Sequence, residues 1–295
     1  MKTPVFTGAC VAIVTPFRNG KVDFEKLGEL IEMQIAGGTD CICICGTTGE
    51  ASTQTVEEHK ETIRYAVKKV AGRVKVIAGT GSNCTATALD TSTAAEEAGV
   101  DGLLMVTPYY NKTTQHGLIK HYTYLADRLH TPIILYNVPG RTGMSFTAET
   151  YAELSKHPLI NGVKEASGNF NLIAHTRMLC GDELNIWSGE DGMVVPLMAM
   201  GGKGVISVVS NVNPRLMADM THLALEGRFE EAADLQINQV TPLADALFME
   251  TNPVPVKEAL NLMGMDVGEP RMPLCCMTDA HREMLKAALA KAGLL

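Results

Sequence analysis

The chain has 295 residues, 46% of them hydrophobic, and carries 25 Lys and Arg against 33 Asp and Glu, a formal net charge of -8. Both signs are scattered and no basic block or aromatic-basic stripe occurs, which argues against nucleic-acid binding. No apolar run is long enough to predict a transmembrane helix, and the stretch from Met1 to Gly8 lacks the apolar core of a secretory signal, so the expectation is a cytoplasmic protein without membrane contact.

Short apolar runs rich in β-branched residues alternate with helical patterns. Strands are predicted at 9–15, 40–45, 74–78, 102–106, 133–137, 160–164, 185–188 and 204–208. Between them, Asp23 is placed to cap a helix over 24–36. Thr55-Val56-Glu57-Glu58 fits a capping box, and Asn213-Pro214 combines a cap with proline at the first helical position. The residues after the eighth run are helical in pattern, broken at Asn252-Pro253 and Glu269-Pro270.

Eight strands each followed by a helical segment predict an α/β fold, a closed parallel (β/α)8 TIM barrel with a C-terminal helical extension. An open doubly wound sheet is the rival, although neither Gly-x-Gly-x-x-Gly nor a P-loop occurs. The expected division is a catalytic barrel over 1–225 and helices over 226–295 packed on it.

Eight cysteines raise the question of a metal or disulfides. Cys41, Cys43 and Cys45 alternate with Ile42 and Ile44, which predicts that the three thiols share one strand face. That is not a zinc spacing, and no paired histidines accompany it. These three are expected to pack as small buried hydrophobes, and all eight cysteines to be reduced thiols without metal.

In a barrel, chemistry collects where strands enter the following loops. Lys164 stands at such an end, after Leu159-Ile160-Asn161-Gly162-Val163. An ammonium there loses hydration, which favours the neutral amine, a nucleophile toward carbonyls. The alternative is a lysine leaving the strand and pairing with Glu165 or another carboxylate. Cys45-Gly46-Thr47-Thr48-Gly49-Glu50 offers backbone N–H groups and the hydroxyls of Thr47 and Thr48 to a carboxylate, or is an ordinary glycine-rich turn. Val106-Thr107-Pro108-Tyr109-Tyr110-Asn111 places two tyrosines where both cannot enter one core, so at least one belongs in a loop or interface. Tyr136-Asn137-Val138-Pro139-Gly140-Arg141-Thr142-Gly143 supplies a phenol able to relay protons and a guanidinium able to grip a carboxylate, or a structural tyrosine and a surface arginine. Gly189 and Ile206, after and within the last two strands, are weaker candidates for backbone contacts.

These segments closely resemble the pyruvate-dependent class I aldolase family that includes the dihydrodipicolinate synthases and the N-acetylneuraminate lyases. The resemblance runs from Gly8-Ala9-Cys10 to the C-terminal helices. It is strongest at Gly46-Thr47-Thr48-Gly49-Glu50, at the segment from Tyr136 to Gly143 and at Val163-Lys164-Glu165-Ala166-Ser167-Gly168-Asn169. Thr47 and Arg141 favour the synthase branch, since the lyases usually carry Ser in place of the former and lack the latter.

The resemblance implies condensation of pyruvate with L-aspartate 4-semialdehyde through a Schiff base on Lys164, with no other cofactor. In that scheme Tyr136 shuttles protons through Thr48 to Tyr110 of a neighbouring subunit. Thr47 and Thr48 hold the pyruvate carboxylate, and Arg141 receives that of the semialdehyde. It also implies a homotetramer, a dimer of dimers. Alternatives are another pyruvate-dependent aldolase of the family, or a keto-acid-binding barrel without catalysis.

Lysine-inhibited relatives bind lysine at positions matching Ser52, Val56, His59, Asn83, Thr87 and Tyr109, typically with glutamate at the fifth and often histidine at the second. Here Thr87 has no charge and Val56 no polar group. Losing a charge-assisted contact costs roughly 1.5–3 kcal/mol, one to two decades of affinity. Inhibition by lysine is therefore expected to be weak or absent, with Ser52, His59, Asn83 and Tyr109 as remnants of such a site.

Overall fold

A computed structural model describes residues 1–295. Eight strands, β1 (Gly8–Ala12), β2 (Cys41–Ile44), β3 (Lys75–Gly79), β4 (Gly102–Val106), β5 (Ile133–Asn137), β6 (Ile160–Glu165), β7 (Asn185–Ser188) and β8 (Gly204–Ser207), pair in parallel with their neighbours. Strand β1 pairs with both β8 and β2, so the sheet closes into a barrel as expected. Around it run α1 (Phe24–Ala36), α2 (Val56–Val70), α3 (Thr85–Ala98), α4 (Gln115–Ala126), α5 (Ala148–Leu154), α6 (Phe170–Cys180), α7 (Val194–Ala199) and α8 (Pro214–Leu225).

Helix starts follow the sequence signals. The Asp23 carboxylate accepts from the Lys26 N–H, and the Asn213 side chain accepts from that of Leu216. Thr55 and Glu58 form both halves of their capping box. Each such cap satisfies N–H groups that the first helical turn leaves without partners.

Strand alternation splits the core into two layers. Facing inward, Cys10, Ala12, Cys41, Cys43, Ile77, Leu104, Ile134, Tyr136, Trp187 and Ile206 fill the barrel, and the Trp187 ring stacks on Phe6 with centroids 5.0 Å apart. Facing outward, residues such as Ile42, Ile44, Leu103 and Val163 meet the helices in the larger cluster. One expectation fails here. Cys45 lies just past β2 with φ +54°, and its Sγ reaches Gln54 Oε1 and the His59 carbonyl in the helical layer, at 3.7 and 3.8 Å. The strand ends one residue before alternation would have brought this third thiol inside.

Beyond α8, helices α9 (Phe229–Leu235) and α10 (Thr241–Leu247) run on through a π-helical turn, Gln236–Val240. Helix α11 (Val254–Leu262) follows, then an irregular strap over 263–278 and α12 (Asp279–Lys291). Lys257 of α11 and Glu50, both about 1% exposed at their side chains, form an ion pair at 2.7 Å. From the strap, the Arg271 N–H donates to Glu50 and its guanidinium to Glu58. These contacts hold Glu50, at φ +52°, against the C-terminal helices and brace the loop after β2.

Candidate active site

Thr47, Thr48, Tyr136, Arg141, Lys164 and Gly189 converge on a cavity of about 300 Å³ at the C-terminal ends of the strands, together with Glu190, Asp191, Asp245, Phe248 and Asn252. This is the barrel face on which (β/α)8 enzymes carry their chemistry. A more open groove of about 450 Å³ between α5 and α6, including Glu149, Asn171, His175 and Met178, offers no lysine or arginine.

Lys164 and Tyr136 are register partners on adjacent strands, and both are buried. The Lys164 Nζ lies 4.4 Å from the centre of the Tyr136 ring. It makes no ion pair and no hydrogen bond within the chain. Pairing with Glu165 is excluded because successive strand residues face opposite ways. The Glu165 carboxylate points outward and accepts from Asn137, Tyr151 and the Ser167 N–H. Burial pushes the Glu165 carboxyl up, opposed by the donors around it, and raises the Tyr151 phenol well above its ordinary value.

Gly189 makes room for the nucleophile. A Cβ there would stand 3.0 Å from Lys164 Cε and 2.7 Å from Ala166 Cβ. Its N–H donates to the Glu165 carbonyl at 2.7 Å, so β6 and the loop after β7 are joined where the lysine side chain passes. Gly79 plays a comparable part for the Thr47–Thr48 loop, since a Cβ there would meet the Cys45 carbonyl oxygen at 2.2 Å.

Asn252 and Asp191, both on the cavity wall, had no side-chain role legible in the sequence. Asn252 stood out only as a helix break, yet its amide donates to Thr48 Oγ1 at 3.0 Å. Its backbone carbonyl accepts from Arg141 Nη2 at 2.9 Å, which ties the exposed guanidinium to the C-terminal segment. Asp191 accepts through Oδ2 from the N–H groups of Val208 and Val209. Burial pushes its carboxyl up, against the pull of Ser207, those N–H groups and the Lys164 charge. Oδ1 of Asp191 and Oδ1 of Asn252 are buried acceptors without partners. Unpartnered acceptors beside a cavity were the signal, and only the folded chain displays it.

Other expected positions lie elsewhere. Ile206 is buried inside the barrel rather than on the cavity wall. Tyr110 has φ +68° and is 93% exposed, and Tyr109 is 39% exposed. Ser52, Val56 and Thr87 are exposed. His59 is buried, with Nε2 2.8 Å from the Gly79 carbonyl, and burial lowers its pKa. The Asn83 carbonyl accepts from the Asn111 side chain.

Fold and mouth together define a class, a (β/α)8-barrel enzyme with an unpaired lysine amine beside a phenol at the catalytic face. Residues 5–292 match the model of the dihydrodipicolinate synthetase family, and the chain belongs to that family. A 4-hydroxy-tetrahydrodipicolinate synthase of Thermoanaerobacter sp. (strain X514) is 55% identical over 293 residues, covering 99% of this chain and 98% of its own. The crystal structure of dihydrodipicolinate synthase from Aquifex aeolicus superposes with a TM-score of 0.96 at 44% identity, covering 98% of this chain and 99% of the other. A structure described as the first monomeric dihydrodipicolinate synthase variant also gives 0.96, at 40% identity, with 99% and 98% covered.

Proposed function

We propose that this enzyme condenses pyruvate with L-aspartate 4-semialdehyde to give 4-hydroxy-tetrahydrodipicolinate, the first committed step of the diaminopimelate route to lysine. The observation that carries this reading is Lys164, buried without a partner beside Tyr136 in a cavity that also holds the Arg141 guanidinium, which has no carboxylate partner in the chain.

The Lys164 amine adds to the pyruvate ketone and water leaves, giving a protonated imine. This electron sink lets the methyl group lose a proton. The enamine carbon attacks the semialdehyde aldehyde. The substrate amine then closes on the imine carbon and expels Lys164, which returns as a free amine. Tyr136 carries protons to and from these atoms, with Thr48 next in the relay and Tyr110 of a second subunit completing it. Thr47 and Thr48 hold the pyruvate carboxylate, and Arg141 holds that of the semialdehyde. The covalent imine replaces any other cofactor in this scheme. The exposure of Tyr110 supports a working unit of at least two chains, within a homotetramer.

Turnover of purified enzyme with pyruvate and each of two aldehydes, aspartate semialdehyde and N-acetylmannosamine, tests the assignment. Product with the first alone is expected. Preference for the second would place the chain with the sugar-acid lyases instead.

A further inference from the structure

Every lone-pair direction of the Glu165 carboxylate is taken. Oε1 accepts from Asn137 Nδ2 and from the Ser167 N–H, both at 2.9 Å. Oε2 accepts from Asn137 Nδ2 at 3.2 Å and from Tyr151 Oη at 3.0 Å. Asn137 is in turn fixed, its Oδ1 accepting from the Phe146 N–H at 3.3 Å. Glu165, Asn137 and Tyr151 are all buried. On the ladder, Asn137 faces Glu165 in the rung beside Tyr136 and Lys164. The polar cluster on the outer barrel face and the reacting pair on the inner face are therefore consecutive residues of the same two strands.

We infer that Glu165, clamped by Asn137, Tyr151 and Ser167, is a positioning residue that fixes the ends of β5 and β6 so that Lys164 meets Tyr136 and the bound keto acid in reactive geometry. Alternation makes the clamp specific. A slip or twist of either strand end turns both inner side chains, and small displacements of a nucleophile cost large factors in rate. The Glu165 carbonyl, which accepts from Gly189, and the Asn137 carbonyl, which accepts from the Ala166 N–H at 2.9 Å, extend the lock to both neighbouring loops. The inference rests on the Schiff-base reading above.

An isosteric exchange tests it. In Glu165→Gln an amide NH2 faces the NH2 of Asn137, and in Asn137→Asp two carboxylates face each other. The double variant Asn137→Asp with Glu165→Gln restores a donor-acceptor match, because Gln can accept from the Ser167 N–H through its one oxygen and give its NH2 to Asp and to the Tyr151 hydroxyl, which can turn to accept. Each single change is expected to lower kcat/KM for pyruvate, and the rate of borohydride-trapped adduct formation, by at least tenfold, and the double variant to recover most of that loss. Val70→Ala, a core change at the far end of α2, serves as a stability control. It is expected to lower Tm while leaving both rates within twofold. Should the single variants fail to fold, Tyr151→Phe removes one donor only and is expected to cost threefold or more in the same rates. Wild-type rates in Glu165→Gln or in Tyr151→Phe, or a folded double variant without recovery, would overturn the inference. Absence of adduct in the wild type would instead sink the Schiff-base reading.

Discussion

Strand geometry separates the tasks of Lys164 and Glu165, because consecutive residues leave β6 on opposite faces. The inner amine stays without a partner, and the outer carboxylate is saturated with donors. Lys164→Arg keeps a cation at the site but supplies no amine to form an imine. It is expected to abolish product formation while leaving the thermal midpoint near that of the wild type, read by turnover and a thermal melt. Asn252 acts on two neighbours at once, through its side chain on Thr48 and its carbonyl on Arg141. Asn252→Ala removes the first contact and keeps the second, so Thr48 loses its donor inside a buried site. Losing one such contact is worth about 1–3 kcal/mol, so kcat/KM is expected to drop roughly 5- to 150-fold. Steady-state kinetics with each substrate varied in turn would measure it, and an unchanged value would remove Asn252 from the account.

Among the elements, the strap over 263–278 joins the C-terminal helices to the start of α2 through Arg271 and Glu58. The Arg271 guanidinium holds the Glu58 carboxyl at about 2, helped by the N-terminal cap at Thr55. Because the folded value is depressed, the pair stabilises the native state fully above the ordinary carboxylate range. That contribution is lost as pH falls from the unfolded value of about 4.5 through the folded one. Acid unfolding of Glu58→Gln is expected to begin from a lower stability at neutral pH and to converge on the wild type below about pH 2. Parallel curves that never converge would show that the pair does not titrate with folding. Side-chain exposures of 18% and 26% keep the effect modest, since water still screens the pair.

Across the whole molecule, the barrel was legible from periodicity because each strand is a short apolar run punctuated by turn residues, and α1, α2 and α8 begin at side-chain caps. The motifs at Thr47–Thr48, Tyr136–Arg141 and Lys164 were legible for a related reason, since reactive side chains stood at predicted strand ends. Asn252 and Asp191 were not legible as cavity residues. Their part depends on contacts across the fold, to Thr48 and Arg141 for the first and to Val208 and Val209 for the second. Cys45 misled because alternation holds only while the strand lasts, and the chain turns left-handed at that residue. Tyr110 belongs to this scale too. At 93% exposed it cannot serve the cavity of its own chain by packing there, and it is offered outward. Tyr110→Phe is expected to lower kcat at least tenfold without shifting Tm, and mixing it with a Lys164→Arg chain is expected to restore some activity through hybrid assemblies. Lysine at millimolar concentration is expected to leave turnover largely unchanged, because Thr87 and Val56 give its ammonium nothing to pair with.

Every catalytic step proposed for this enzyme passes through an imine between Lys164 and pyruvate. Borohydride reduction of the intact enzyme with pyruvate, followed by peptide mass analysis, tests it most directly. One reduced pyruvyl adduct per chain is expected, on the peptide carrying Lys164, and none in Lys164→Arg. An unmodified Lys164, or an adduct on another lysine, would contradict it.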